Sequence, residues 1–166
     1  MPVEVIFVRH AVAARRSLVR WKDDRQRPLT SDGRRKFRKA AAGLATWLPA
    51  VDCVLTSPLA RARQTAEVLK AVARWPVAID CWELAPGSDP GAVLAILRRQ
   101  KAKRIALVGH EPDLSGLLSI CIAGPDAALR ITLKKGGVAC IVFPRSVGAG
   151  KATLTAIIPP RALRAM

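Results

Sequence analysis

The sequence alternates short apolar runs with amphipathic stretches of helical spacing, and this alternation restricts the fold more than any other feature. The first run, residues 3–8, is almost entirely apolar, which is typical of a strand buried on both faces of a sheet. Runs at residues 51–56 and 105–108 predict two more core strands, and residues 77–80 predict a short one. Strands that alternate with helices in this way form parallel sheets covered by helices on both faces.

The remaining elements complete this pattern. The predicted helices are residues 59–73, residues 92–99 after a cap at Asp89, residues 114–122 after a cap at Asp113, and one through Phe37 to Leu48 after Thr30 or Ser31. Residues 129–134 and 138–143 predict an antiparallel hairpin, and residues 152–158 predict a last strand. We therefore expect one domain over residues 1–166, an α/β three-layer αβα sandwich. Its mixed sheet is mostly parallel with an antiparallel C-terminal hairpin at the edge.

The chain carries a strong positive charge, with a formal net charge of +16. Residues 1–40 hold twelve Lys or Arg and four acidic residues, so half of the excess lies in the first quarter of the chain. Such a field concentrates anions, which include phosphorylated substrates, acidic proteins, polyphosphate and nucleic acid. A solvated basic surface explains the same charge without any ligand. The aromatic residues are too few and too scattered to form a stacking platform for single-stranded nucleic acid, so a nucleic-acid partner is disfavoured.

The apolar runs and the cysteines indicate the compartment. No apolar run approaches the roughly 20 residues that cross a bilayer, and the N-terminus lacks the basic region of a secretory signal. Cys53, Cys81, Cys121 and Cys140 have neither zinc-site spacing nor the density of a disulfide framework. We expect a cytoplasmic protein with free thiols and no membrane or metal site. The sequence makes no prediction about oligomeric state.

Residues suited to chemistry follow three of the predicted strands. Arg9-His10 follows the first strand, Ser57-Pro58 leads from the second towards Arg61, and Gly109-His110 follows the third. Ligands of such sheets bind beyond the carboxyl ends of the strands. A lone histidine there could be an ordinary packed residue, but both histidines of this chain occupy such positions.

This set of residue types suits phosphoryl transfer. Neutral imidazole is a good nucleophile and forms covalent intermediates. Phosphoryl transfer otherwise needs in-line positioning and positive charge around the phosphoryl oxygens. Arginine supplies both, because its planar guanidinium matches phosphate oxygens bidentately and stays charged. The residues therefore predict a phosphatase site that requires neither metal nor cofactor.

Four segments, in this order along the chain, resemble motifs of the histidine phosphatase (phosphoglycerate mutase-like) superfamily. They are Val8-Arg9-His10-Ala11, Arg27-Pro28-Leu29-Thr30-Ser31-Asp32-Gly33, Ser57-Pro58-Leu59-Ala60-Arg61-Ala62-Arg63-Gln64-Thr65-Ala66 and Val108-Gly109-His110-Glu111-Pro112. The short chain, the R-P-L-T form of the second segment and Glu83-Leu84-Ala85-Pro86-Gly87 are similar to the SixA-type branch, the short phosphohistidine phosphatases. The resemblance implies the phosphoglycerate mutase-like fold.

The resemblance also implies a role for each matching residue. His10 would attack phosphorus and become transiently phosphorylated, and water would then hydrolyse the intermediate. Arg9 and Arg61 would bind the phosphoryl oxygens, and Arg27 would reach the pocket from its loop. His110 would be a further donor to the transition state.

Ala11 and Glu83 are the two positions at which the comparison with the family motifs raises a specific question. Ala11 stands where the wider family has glycine, so the turn after His10 must accept a Cβ atom. Glu83 is the candidate general acid, and an exposed loop glutamate is the alternative interpretation. A phosphohistidine substrate would need less acid assistance, because a protonated phosphoramidate already has a good leaving group.

Three functions remain as hypotheses. The first is a metal-independent phosphatase for phosphohistidine in a signalling or phosphotransfer protein. The second, with the same pocket chemistry, is a phosphatase for a small phosphorylated metabolite or nucleotide. The third is a non-catalytic basic protein that binds polyphosphate, nucleic acid or acidic proteins, and the presence of His10, His110, Arg9 and Arg61 argues against it.

Overall fold

The computed structural model describes residues 1–126 and 128–166. Its strands are β1 (Val3–Arg9), β2 (Cys53–Thr56), β3 (Ile79–Asp80), β4 (Arg104–Gly109), β5 (Val138–Phe143) and β6 (Thr153–Ile158). Its helices are α1 (Ser31–Trp47), α2 (Ala60–Ala73), α3 (Pro90–Arg99), α4 (Asp113–Ala123) and α5 (Pro160–Leu163), with 3-10 turns at Asp24–Gln26 and Trp82–Leu84.

The strands form one mixed sheet in the order β3-β2-β4-β1-β5-β6. The pairs β2–β3, β2–β4 and β1–β4 are parallel, whereas β5 runs antiparallel to β1 and β6 antiparallel to β5. The predicted α/β class is therefore confirmed, with a parallel half and an antiparallel C-terminal edge.

Strand β1 shows why the sheet needs helices on both faces. Ile6 and Val8 belong to a buried cluster that includes residues of α1, α2 and α5. Val5 and Phe7, which alternate with them, belong to a second cluster that includes residues of α3 and α4. Successive side chains of a strand point to opposite faces, so a strand covered on both sides must be apolar at every position. This arrangement makes the three predicted layers.

Two helix caps are as predicted, and one is not. The Thr30 hydroxyl accepts the Gly33 amide at 2.9 Å, and the Asp89 carboxylate accepts the Gly91 amide at 2.9 Å. Both bonds satisfy donors that a helix leaves free in its first turn. The prediction that Asp113 caps α4 is wrong. Asp113 is already the first helical residue, and its carboxylate instead accepts the amide of Gly87 at 3.1 Å.

The prediction of a hairpin between residues 129–134 and 138–143 is also wrong. Residues 129–134 form no strand, and β5 pairs with β6 instead. The reason lies in the backbone groups of Leu133, because its carbonyl accepts from Arg9 at 2.7 Å and its amide donates to Glu111 at 3.2 Å. Side chains at the end of the sheet therefore take the bonds that a strand partner would have made.

The cysteines are free, and three of the four are buried. Burial raises the pKa of the Cys121 and Cys140 thiols to about 12. In the part of the chain that the structure describes, no helix combines the length and the apolar character required to span a bilayer.

Candidate active site

The site lies where three neighbouring strands end. His10 follows β1, Ser57 follows β2 and His110 follows β4, and the register pairs Arg9 of β1 with Gly109 of β4. Because these strands are parallel and adjacent, their carboxyl ends meet at one edge. The cleft at this edge has a volume of about 380 Å³. Its lining comprises Arg9, His10, Ala13, Ala14, Arg15, Arg16, Arg27, Arg61, Pro86, His110, Glu111 and Lys135. The structure thus brings together five of the six predicted site residues.

The His10 side chain is held in one orientation by its neighbour. Its Nδ1 lies 2.7 Å from the Ala11 carbonyl oxygen, and His10 is only 6% exposed. A carbonyl oxygen only accepts hydrogen bonds, so Nδ1 must carry the proton and donate it. In the neutral ring, the other nitrogen, Nε2, then carries the free electron pair. This is the tautomer that a nucleophilic histidine needs.

The surroundings of His10 keep its ring neutral. The pKa of His10 is lowered to about 4, chiefly by burial and also by the positive charges of Arg61, Arg9 and Arg27, although the hydrogen bond to Ala11 opposes the shift. Inside the protein a charged ring would lack the hydration it has in water, and the positive charges of the arginines would repel it. The neutral form of the ring therefore predominates at neutral pH.

A hydroxyl joins the turn after His10 to helix α2. The Thr65 hydroxyl accepts the Ala11 amide at 3.0 Å and donates to the Arg61 carbonyl at 2.7 Å. Among the described residues, Arg74 is the only non-glycine residue with a positive φ, so Ala11 has an ordinary backbone conformation. The turn accepts the Cβ atom of Ala11, as expected.

The N-terminus of α1 supports the same turn from outside. A Cβ atom at Gly33 would collide with the Val12 carbonyl oxygen, so only glycine permits this approach of helix and loop. The Thr30 amide donates to that same Val12 oxygen at 3.0 Å. The P-L-T-x-x-G segment thus packs against the residues that follow His10.

His110 lies opposite His10, with 5.1 Å between the ring centroids and 54° between the ring planes. Its Nε2 lies 2.8 Å from the Ser57 hydroxyl, whereas its Nδ1 is buried without a hydrogen-bond partner among the described residues. The pKa of His110 is lowered to about 3, chiefly by burial and also by the nearby His10 and Arg61. His110 is therefore neutral at physiological pH.

Asp24 holds Arg61 and Arg27 together. Its Oδ1 accepts Arg27 Nε at 2.8 Å, and its Oδ2 lies 3.2 Å from Arg61 Nη2. Its backbone carbonyl also accepts Arg61 Nη1 at 3.0 Å, and Arg27 donates in addition to the Ala14 carbonyl. These bonds lower the pKa of the Asp24 carboxyl, chiefly through Arg27. A single carboxylate therefore aligns both arginines at the cleft.

Arg9 is positioned by a chain of bonds from the opposite side. Its Nη1 donates to the Leu133 carbonyl, and the Leu133 amide donates to Glu111 Oε1, which also accepts the Ser115 hydroxyl at 2.7 Å. Burial lowers the pKa of Arg9, and the charge of Glu111 opposes that shift. Glu111 thus positions Arg9 through Leu133, and its charge favours the charged guanidinium.

Three buried nitrogen atoms at the site have no hydrogen-bond partner among the described residues. They are Arg9 Nε, Arg61 Nε and His110 Nδ1. Buried polar groups are nearly always paired, so an unpaired group in a cleft points to a ligand. The two guanidinium nitrogens are donors, and His110 Nδ1 is a donor in the tautomer that carries its proton there, which suits an anion with several acceptor oxygens.

Glu83 is not among the residues that line the cleft. It lies on the 3-10 turn Trp82–Leu84, where its Oε2 accepts the Cys81 thiol at 3.4 Å. It lines a small adjoining cavity that shares His110 with the cleft. The carboxylate on the cleft itself is that of Glu111.

Sequence reasoning missed Asp24 and Glu111. Asp24 is an acidic residue in an Arg-rich stretch, three positions before Arg27, and such a spacing is a signal for a local ion pair. Glu111 directly follows His110 in the fourth motif, so its position next to a site residue was visible. Within the described residues, no group of three or more His, Cys, Asp and Glu side chains is arranged to hold a metal ion.

The sequence of the chain is similar to that of known proteins. The model of the histidine phosphatase superfamily (branch 1) matches residues 5–82. An uncharacterised protein from a Picosynechococcus species is 39% identical over 139 residues, which cover 82% of each chain.

Solved structures extend the likeness over nearly the whole chain. The protein histidine phosphatase SixA in complex with tungstate matches with a TM-score of 0.82 and 25% identity, covering 97% of this chain and 99% of that one. A SixA structure from Agrobacterium tumefaciens matches with a TM-score of 0.76 and 25% identity, covering 96% and 99%.

Proposed function

Because this chain belongs to the histidine phosphatase superfamily and is of the SixA type, we propose that it is a phosphatase whose nucleophile is His10. The observation that carries the proposal is the bond from His10 Nδ1 to the Ala11 carbonyl, which leaves Nε2 unprotonated beside three unpaired donors. A neutral nucleophile next to a cationic anion site is the arrangement that phosphoryl transfer requires.

The reaction proceeds in two displacements. In the first, the Nε2 electron pair of His10 forms a bond to phosphorus while the bond from phosphorus to the leaving nitrogen or oxygen breaks. The leaving group departs with that electron pair: an imidazole already protonated on its other nitrogen leaves neutral, and an ester oxygen takes its proton from water. In the second, water attacks the phosphorus of phosphohistidine, and the electron pair of the breaking P–Nε2 bond returns to Nε2. The hydroxyl stays on phosphorus, the other water proton passes to phosphate or solvent, and phosphate leaves with His10 restored. The Ala11 carbonyl holds the Nδ1 proton throughout and stabilises positive charge on the ring.

The unpaired donors supply the electrostatic part of catalysis. Arg9 and Arg61 bind phosphoryl oxygens through the guanidinium N–H groups that the protein leaves free, and Arg27 adds charge beside them. Fixed donors aimed at developing negative charge are worth most in a water-poor site. Tungstate bound to SixA is a tetrahedral oxyanion, and this supports an oxyanion site in the relative.

His110 acts as a neutral donor. The Leu59 amide donates to the Ser57 hydroxyl at 3.4 Å, so the hydroxyl proton is free to point at His110 Nε2. With Nε2 accepting, the single proton of the neutral ring lies on Nδ1, which has no acceptor within the described part of the chain. A phosphoryl oxygen of the transition state supplies that acceptor.

Phosphohistidine in a protein is the proposed substrate, and catalysis needs no metal. The likeness to SixA supports this substrate. The position of Glu83 outside the cleft supports it too, because phosphoramidate cleavage depends little on a protein acid. Small phosphoesters are the second candidate, since the same donors bind any phosphoryl group.

The test follows phosphate release by the wild type and His10→Ala, with EDTA present. The substrates are a phosphohistidine-bearing phosphotransfer protein and p-nitrophenyl phosphate. We expect fast release from phosphohistidine, slow release from the ester, and loss of both in His10→Ala. Acid-labile, alkali-stable phosphate should appear on the wild type after rapid quenching and be absent from His10→Ala. Ser57→Ala is the comparison variant: it removes the hydroxyl that orients His110 but leaves the nucleophile, so it should be slower and still form the phosphoenzyme.

Each other outcome contradicts part of the proposal. Preference for the ester favours a metabolite phosphatase. Unchanged activity in His10→Ala removes His10 as the nucleophile. Activity that EDTA abolishes and a divalent ion restores contradicts metal independence. No activity on either substrate favours the non-catalytic binder.

A further inference from the structure

The loop at residues 15–22, called the basic loop below, borders the catalytic cleft. Arg15 and Arg16 line the cleft itself. Arg16 also lines a shallow groove next to it, together with Ser17, Leu18, Trp21 and Asp24. The cleft therefore borders the basic loop, so a substrate larger than a phosphoryl group can contact this surface while its phosphoryl group lies in the cleft.

The basic loop presents two aliphatic side chains to solvent. Its turn is closed at Ser17, whose carbonyl accepts the Trp21 amide at 2.8 Å and whose hydroxyl accepts the Arg20 amide at 3.1 Å. This geometry places Leu18 and Val19 at the outer end of the turn, where they are 88% and 89% exposed. Each side chain would gain favourable free energy if a partner covered it.

The positive charges of the basic loop are unpaired. Its cationic side chains are exposed, and none forms a salt bridge within the described residues: Arg15, Arg16, Arg20 and Lys22. The basic run at the start of α1 differs, because Arg34, Arg35 and Lys36 pair with Asp32 or Glu67. The two clusters look alike in the sequence, but only the basic loop keeps its charge available.

We infer that the basic loop is a docking surface for an acidic protein whose phosphorylated side chain enters the cleft. The inference rests on the proposed function and deepens it, since it selects a protein over a small metabolite as substrate. Charge complementarity gives the acidic character of the partner. Leu18 and Val19 select a protein over polyphosphate or nucleic acid, because aliphatic side chains at an interface gain from apolar contact rather than from phosphates.

The test compares two substrates in three variants of the full chain. The probes are an acidic phosphotransfer domain phosphorylated on histidine and p-nitrophenyl phosphate. The variants are Leu18→Ser with Val19→Ser, Arg20→Glu, and, as a control for exposed aliphatic residues elsewhere, Leu154→Ser with Ile157→Ser on β6. All five residues lie outside the lining of the cleft. The loop positions are exposed, so changing them removes little buried contact, whereas Leu154 and Ile157 are 38% and 45% exposed and make the control the more demanding change.

The expected result is a selective loss. Each of the two loop variants raises KM for the phosphorylated domain roughly tenfold, as truncated interface residues do, and changes ester hydrolysis less than about twofold. The effect of Arg20→Glu shrinks at high salt, because screening weakens exposed charges. The β6 control matches the wild type on both substrates.

Contrary outcomes separate the two proposals. If loop variants equal the wild type on the phosphorylated domain, or lose both activities in parallel, the docking surface is overturned while the phosphatase stands. If short polyphosphate competes with the domain equally well in the wild type and in the Leu18, Val19 variant, the surface is a general polyanion site. If the wild type releases phosphate from neither substrate, the proposed function fails and this inference fails with it.

Discussion

Asp24 and Arg61 are joined twice, once through the Asp24 backbone carbonyl at 3.0 Å from Nη1 and once through its carboxylate at 3.2 Å from Nη2. The Arg61 side chain is 4% exposed and that of Asp24 is 47% exposed. The same carboxylate binds Arg27. Asp24 therefore fixes the direction of two cleft arginines from the solvent side, and its own charge opposes a bound phosphoryl group.

Because Asp24 both aligns the arginines and repels a bound anion, Asp24→Asn should affect catalysis and phosphate binding differently. We expect kcat to fall about tenfold, because the arginines lose alignment with the transition state. Inhibition by inorganic phosphate should not weaken, because a negative charge near the anion site has gone. Measured kcat and phosphate inhibition constants check this, with Asp23→Asn as the neighbouring control. Unchanged kcat with weaker phosphate inhibition would contradict a positioning role.

The histidine pair predicts an acid limb at unusually low pH. The pKa of His10 is lowered to about 4 and that of His110 to about 3, both chiefly by burial. Protonation removes the nucleophilic electron pair, so kcat/KM should fall only as pH drops through about 4 rather than through 6.5. A pH profile of kcat/KM with p-nitrophenyl phosphate tests this. A decline of kcat/KM centred near pH 6.5 would contradict this prediction, because it would mean that water reaches the two histidines far more than the structure shows.

The free energy of unfolding should depend on pH through the same two histidines. Each folded-state pKa lies below the ordinary value of 6.5, so the unfolded chain binds more protons between 6.5 and about 4. The free energy of unfolding should therefore decline as pH falls through that window, in addition to any other acid effect. Urea unfolding of the wild type and His110→Asn at several pH values measures it, and the variant should decline less.

Glu111 should act by position rather than by proton transfer. Glu111→Ala removes the acceptor of the Leu133 amide, so Arg9 shifts and KM rises roughly tenfold. Glu111→Gln keeps a carbonyl oxygen for that amide and should change KM less than about threefold. Steady-state kinetics on both substrates distinguish the variants. If Gln is as damaging as Ala and lowers kcat instead of raising KM, Glu111 is a general acid.

Glu83 should matter little for phosphohistidine. Its carboxylate lines the adjoining cavity and accepts from Cys81, so Glu83→Gln should change phosphohistidine hydrolysis less than about threefold. Phenyl phosphate has a poor leaving group and p-nitrophenyl phosphate a good one. A loss in Glu83→Gln that is much larger for phenyl phosphate would identify Glu83 as the general acid for esters.

Thr65 should contribute to stability through the turn after His10. Thr65→Val keeps the shape but leaves the buried Ala11 amide without its acceptor, so we expect a loss of about 1–3 kcal/mol in unfolding free energy. Thr65→Ser keeps the hydroxyl and should lose less. Urea denaturation measures both variants, and an unchanged free energy of unfolding in Thr65→Val would show that the hydroxyl does not stabilise the turn.

Much of the fold could be predicted because each core strand carries its own signal. A strand covered on both faces must be apolar throughout, so Val5 to Val8 identify β1 without knowledge of its neighbours. Parallel strands also end at one edge, which is why His10 and His110 could be expected to meet. The spacing of Thr30 and Asp89 from the helices that follow similarly predicted two caps, since capping is local.

The errors concern contacts between distant parts of the chain. Residues 129–134 have the composition of a strand, yet Arg9 and Glu111 take the backbone bonds of Leu133. Asp113 has the residue type of a cap, yet it bonds Gly87. Nothing within either segment distinguishes these outcomes, because the competing partner comes from elsewhere in the chain.

The sequence by itself determined the alternation of strands and helices, the edge at which His10, His110 and Arg61 meet, and the chemistry those residue types permit. Only the tertiary structure decided which nitrogen of His10 keeps its electron pair, which carboxylates serve the arginines, and which basic cluster keeps its charge free. The physical reason is the separation along the chain of the residues that interact. Hydrophobic periodicity is a property of neighbouring residues and can be read from the sequence. A hydrogen bond such as that of Arg9 with Leu133 joins residues 124 positions apart, so it depends on the path of every loop between them.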